Sequence, residues 1–202
     1  MKDTGKSKRK SVIVFCIVMC FAVVGSLGVY YKYMKKQQQR QQTVKKPATE
    51  VEKLIAKDLE AGYPETPKEL TNLFCRYTQC IYNKSLSEEQ ISSLVSQLRI
   101  LYCDELKERN EQGKMEQKIA ADIRKYKKDE KRIISYTVDG EKNYQYQKLD
   151  GKDTVYVNYS FFMREKDKYS TWNQRAILLK ENDKWKILGF GPAPSSGAAI
   201  KE

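Results

Sequence analysis

From Ser11 to Tyr31 the chain runs 21 residues without a charge, SVIVFCIVMCFAVVGSLGVYY. At about 1.5 Å rise per residue, a helix of that length spans roughly 31 Å, which matches the hydrocarbon core of a bilayer. Only a helix satisfies its own backbone N–H and C=O groups within one span of lipid. The flanks suit that solvent. Lys8, Arg9 and Lys10 precede the run, while Tyr30, Tyr31 and Tyr33 with Lys32, Lys35 and Lys36 follow it as an aromatic and basic interfacial collar. Residues 11–31 are therefore predicted to form a transmembrane helix in contact with membrane lipid.

A cleaved signal peptide is the chief alternative, because a basic region precedes the apolar run and Ser26 and Gly28 are small enough for a cleavage site. The run exceeds the roughly 7 to 15 residues of a signal-peptide apolar region, and no Ala-x-Ala follows it, which favours an uncleaved signal-anchor. The basic tail at residues 1–10 predicts a cytoplasmic N-terminus, hence a single-pass cell-membrane protein with an extracytoplasmic domain. Charge alone does not choose the orientation, since the two flanks carry five and six Lys/Arg.

The formal net charge of +12 is unevenly placed. Residues 1–10 carry +4 and residues 32–46 carry +6, leaving +2 for everything after them. The excess sits where anionic headgroups attract it, and the nearly neutral remainder argues against nucleic-acid binding by a folded domain. Residues 32–47, with QQQRQQ and Lys45-Lys46-Pro47, hold almost nothing to bury. They read as a polar stalk or as a polar continuation of the membrane helix, and Pro47 ends either one.

After Pro47 the helix starts are legible. Thr49-x-x-Glu52 and Thr66-Pro67-x-Glu69 have capping-box spacing, and a third start lies at Ser85-x-x-Glu88 or at Ser87-x-x-Gln90. Leu70, Leu73, Phe74, Tyr77 and Ile81 fall on one face of the second helix, and Ile91, Leu94, Val95, Leu98, Leu101 and Tyr102 on one face of the third. A further helix is predicted from Met115 to Tyr126, after a turn around Gly113. From Arg132 the period changes to two. Segments 133–138, 144–149, 154–164, 169–179 and 184–190 read as strands separated by short turns, including Asp139-Gly140 and Asp150-Gly151. Helices followed by an antiparallel meander predict an α+β domain over residues 48–190, with a disordered tail over 191–202.

That order of elements, ending in Glu181-Asn182-Asp183-Lys184-Trp185-Lys186-Ile187-Leu188-Gly189-Phe190, resembles the nuclear transport factor 2-like (SnoaL-like) domains, cone-shaped α+β folds. With its N-terminal anchor the chain also resembles uncharacterised membrane-anchored proteins of Gram-positive clostridia and the scaffold subunits of conjugation and type IV secretion machines. The fold hosts enzymes, ligand binders and interaction modules alike, so the resemblance carries over no functional residue.

The chain has no histidine, which removes the commonest general base, the usual Ser and Cys triads and the commonest metal ligand. No phosphate-binding glycine loop is present, because Gly25-x-x-Gly28 lies in the apolar run. The expectation is a domain without catalytic, cofactor-binding or metal-binding residues. Carboxylate and Tyr chemistry of isomerase or dehydratase type is the enzymatic alternative, with Asp104, Glu105 and Asp122 near apolar stripes; as ordinary solvated helix faces they need no such role. Cys75-x4-Cys80 has neither redox nor zinc spacing. Cys103, placed on the helix after the one bearing Cys75 and Cys80, makes a Cys80–Cys103 disulfide feasible, with three buried thiols as the alternative. Tyr144, Tyr146, Tyr159 and Trp172 are candidates for lining a pocket at the mouth of the cone, although such residues also complete half-buried sheets. The reading is a membrane-anchored interaction or ligand-binding module, with a protein partner or self-association as its non-lipid contacts.

Overall fold

The computed structural model describes residues 48–194. The predicted tail 1–10, membrane helix 11–31 and stalk 32–47 lie outside them. Among the described residues no helix is long and apolar enough to cross a membrane.

Five helices come first: α1 (Glu50–Ile55), α2 (Pro67–Asn83), α3 (Glu88–Ile100), α4 (Asp104–Arg109) and α5 (Gln112–Lys128). Thr49, Thr66 and Ser87 each accept from the N3 backbone while the N3 Glu or Gln bonds back to the cap, so three complete capping boxes start α1, α2 and α3. Each satisfies two backbone donors that a helix start would otherwise leave open. The third box uses the Ser87 and Gln90 register. α3 ends earlier than the apolar stripe suggests, because Leu101 and Tyr102 leave the helix to meet β5: the Ile187 amide donates to Leu101 O at 2.8 Å and the Cys103 amide donates to Ile187 O at 2.9 Å. Cys103 is thus the cap of α4, its sulfur accepting from the Leu106 amide, rather than a residue of α3. Gly113 lies within the first turn of α5, which begins at Gln112 rather than after a turn.

The strands are β1 (Lys131–Val138), β2 (Gln145–Leu149), β3 (Lys152–Glu165), β4 (Lys168–Glu181) and β5 (Lys184–Pro192). They form one antiparallel sheet in the order β1-β3-β4-β5, and β2 pairs the first half of β3 beside β1. Asp150-Gly151 and Asn182-Asp183 each have positive φ at both positions, the type I′ geometry whose twist matches paired strands. Gly191 and Pro192, expected in the tail, instead continue β5 against Arg175 and Gln174. Pro192 is tolerated there because β5 is an edge strand and no ladder donor is lost.

Alternation on β3 places Val155, Val157, Tyr159, Phe161 and Met163 inward, all buried, against Leu70, Phe74, Tyr77 and Ile81 of α2 and Leu94, Val95 and Leu98 of α3. The architecture is α+β, helices on one face of an antiparallel sheet. Of the two arrangements open to the thiols, the structure has the three buried free thiols, Cys75, Cys80 and Cys103, and not the feasible Cys80–Cys103 disulfide. Cys80 lies within reach of the charges of Glu50, Arg76 and Lys84, whereas Cys103 feels Glu181 and Glu105, so the two thiols occupy different neighbourhoods of the helical layer.

Candidate functional site

β1 begins with a bulge between Ile133 and Ser135. α2 clamps it. The Ile133 amide donates to Asn83 Oδ1 at 2.9 Å, Asn83 Nδ2 donates to Ile133 O at 2.7 Å, and Gln79 Nε2 donates to Ile133 O and Ile134 O at 3.1 Å each. This fixes the 159–163 end of β3, which pairs with β1, under the C-terminal half of α2. α5 closes the other side, fastened to α3 by Ser92 Oγ donating to Glu116 and Gln112 Nε2 donating to Ser96, both at 2.9 Å.

Between these elements and the inner face of the sheet lies a cavity of about 470 Å³. That is within the size range of small-molecule sites. Its wall on the sheet consists of Ile133, Tyr159, Phe161, Met163, Trp172, Gln174 and Phe190; its helical wall includes Phe74, Ile81, Tyr82, Leu98, Ile119 and Tyr126. Phe74 is the hinge between the two, with its ring 4.8 Å from Phe190 and edge-on to Tyr159 at 6.0 Å. Trp172 and Phe190 are 40% and 49% exposed, so the apolar interior continues to an open mouth. Facing them are Glu108, Arg109, Asn110, Glu111, Lys114 and Lys118 from the α4–α5 corner. Arg99 holds that corner by donating to the carbonyls of Asn110 and Lys107.

The polar groups of the interior are phenols, one carboxylate, Gln174 and the Thr78 hydroxyl, which donates to Phe74 O at 2.9 Å. Tyr82 and Tyr126 pack ring to ring at 4.6 Å. Asp122, one turn before Tyr126 on α5, lies beside both. Burial first, then the charge of Asp122, pushes the Tyr82 phenol well above its ordinary value; hydrogen bonding to Asp122 acts the same way. Burial does the same to Tyr126, Tyr102 and Tyr159. All four phenols therefore stay neutral and able to donate at any physiological pH. The Tyr102 hydroxyl is buried and has no hydrogen-bond partner among the described residues. A buried hydroxyl left unmatched costs about 1–3 kcal/mol.

Of the four aromatic residues singled out from the sequence, Tyr159 and Trp172 stand on this wall, and Tyr144 and Tyr146 do not. β2 pairs only with residues 152–156 of β3, at the other end of the strand from the cavity, which carries both residues away. Tyr144 is buried at the edge of the core, with its phenol pushed up to about 12 mainly by burial, and Tyr146 is 62% exposed. Asp104 and Glu105 are committed to surface pairs with Lys107 and Arg109. Asp122 alone of the three acids reaches the cavity. Tyr82 and Tyr102 were not legible as site residues: Tyr82 is off the apolar stripe of α2, and Tyr102 reads as the end of the α3 stripe.

Among the described residues, no group of three or more Cys, Asp and Glu is placed to hold a metal ion. The family described as a domain of unknown function, DUF6715, matches residues 1–190. No curated protein and no solved structure matches the chain.

Proposed function

Since the chain belongs to the DUF6715 family over nearly its whole length, and that description assigns no activity, we propose from the geometry that it is a membrane-anchored ligand-binding module. One observation carries this reading: an open cavity of about 470 Å³ with aromatic and aliphatic inner walls, Asp122 among its phenols and charged residues at its mouth. Sites that bind small molecules are built this way, apolar for affinity and sparsely polar for orientation. A filled core would have left no such space.

The uncharged segment 11–31 supports an anchor, and the basic tail 1–10 supports a cytoplasmic N-terminus with the domain outside the cell membrane. The family match runs through both the segment and the domain, which supports reading the anchor as part of the family's architecture. Helices laid over one face of an antiparallel sheet around a cavity support a nuclear transport factor 2-like cone. An alkaline phosphatase fused after Glu202 is expected to be active; a silent fusion with an active cytoplasmic reporter reverses the topology.

Ligand binding is tested with the full chain in detergent, using native mass spectrometry for co-purified small molecules and displacement of an anilinonaphthalene dye. The expected result is saturable binding at one site, lost when Leu98→Trp fills the cavity. Unchanged dye binding in that variant, with its fold intact, refutes the reading.

A second reading is favoured by Asp122 and Tyr82 facing the same cavity. A carboxylate and a neutral phenol side by side suit proton transfer next to a carbonyl, the chemistry of an isomerase or dehydratase. Solvent deuterium entering a bound ketone, and abolished by Asp122→Asn, is the outcome that reading requires.

A further inference from the structure

The charges around the cavity are unequally matched. At the mouth, Arg109 is paired with Glu105 and Lys114 with Glu111, which leaves Glu108 and Lys118 as unpaired rim charges. The sheet wall contributes no charged side chain. Asp122 is the carboxylate of the phenol-lined corner and has no Lys or Arg nitrogen within 4.0 Å among the described residues. Lys118, one turn before it on α5, is exposed and makes no ion pair with it. Asp122 therefore stands beside Tyr82 in the cavity with no protein cation among the described residues to balance its charge.

We infer that the cavity is an amine site, in which an organic ammonium seats on the Asp122 carboxylate beside the paired rings of Tyr82 and Tyr126 while its apolar body lies toward Phe161 and Met163. This rests on the ligand-binding reading and narrows it to one charge class. The ammonium meets two complementary features. It supplies the counter-charge that Asp122 lacks. The faces of Tyr82 and Tyr126 attract cations through their ring quadrupoles. An anionic amphiphile would instead bring a second negative charge against Asp122, and a neutral alcohol would leave the carboxylate unmatched.

The test compares three ligands of one shape, 2-phenylethylamine, 2-phenylethanol and 3-phenylpropionate, by calorimetry on the full chain in detergent at pH 7. The amine is expected to bind at least tenfold more tightly than the alcohol, and the acid most weakly. Asp122→Asn keeps the shape and removes the charge; it should weaken the amine about ten- to a hundredfold and leave the alcohol unchanged. Lys118→Met should leave the amine as tight or a few-fold tighter. If alcohol and amine bind equally, or if a folded Asp122→Asn variant binds the amine as before, the amine assignment is wrong while ligand binding stands. If none of the three binds, both fail. Should Asp122→Asn not fold, the ranking of the three ligands on the unaltered protein still decides.

Discussion

Asn83→Ala probes the clamp that shapes the cavity. Asn83 exchanges two hydrogen bonds with Ile133, whose residue is 2% exposed and whose side chain lines the cavity. Alanine removes the acceptor of the Ile133 amide and one donor to its carbonyl, but the carbonyl keeps Gln79. The net loss is therefore one orphaned, desolvated N–H, about 1–3 kcal/mol. For a domain of this size that corresponds to a fall in melting temperature of roughly 3–10 °C. Gln79→Ala should cost less, under about 1 kcal/mol, because Ile133 O retains Asn83 and Ile134, 45% exposed, lets water replace the other bond. Thermal unfolding followed by circular dichroism measures both, and amide exchange at Ile133 reports the same site directly. An Asn83→Ala variant within about 0.5 kcal/mol of the unaltered protein, or a Gln79→Ala variant that loses as much, refutes the reasoning.

Two further outcomes concern titration and thiols. Hydrogen bonding to Arg76 holds the Glu50 carboxyl below its ordinary value of 4.5, so its contribution is fully present above that pH and is lost as pH falls through the lowered value. The stability gap between the protein and Glu50→Gln should shrink between pH 6 and pH 3; the pair is partly exposed, so the gap stays under about 1 kcal/mol. A gap that widens on acidification contradicts the pairing. Burial raises Cys75, Cys80 and Cys103 above ordinary thiol values, so at neutral pH these three should resist iodoacetamide in the folded protein. All should label in denaturant without reductant; a pair that stays unlabelled until reduced means a disulfide exists.

Local signals in this chain were strong because short-range physics writes them. Thr49, Thr66 and Ser87 with their partners three residues on announce helix starts, and the Asp150-Gly151 and Asn182-Asp183 pairs sit at turns that need positive φ. The alternation of Val155, Val157, Tyr159 and Phe161 marks the buried face of β3 before any partner is known. Where a contact is long-range the sequence is silent. The α3 stripe continues through Leu101 and Tyr102, yet the backbone there leaves the helix because β5 offers it hydrogen bonds from 86 residues away in sequence. Tyr144 and Tyr146 look as promising as Tyr159 and Trp172, and only strand pairing separates them.

From the chain alone follow the order and kind of the elements other than the short helix α4, the membrane-compatible length of residues 11–31, and the exclusion of histidine chemistry, since each depends on composition or on neighbours within a few residues. The tertiary structure alone decided that space remains between α2, α5 and the sheet, and that Asp122, Tyr82, Tyr102 and Tyr126 face it. A cavity is a failure of distant surfaces to meet, and its shape depends on crossing angles, a bulge at Ile133 and the clamp of Asn83, none of which has a local signature in the chain.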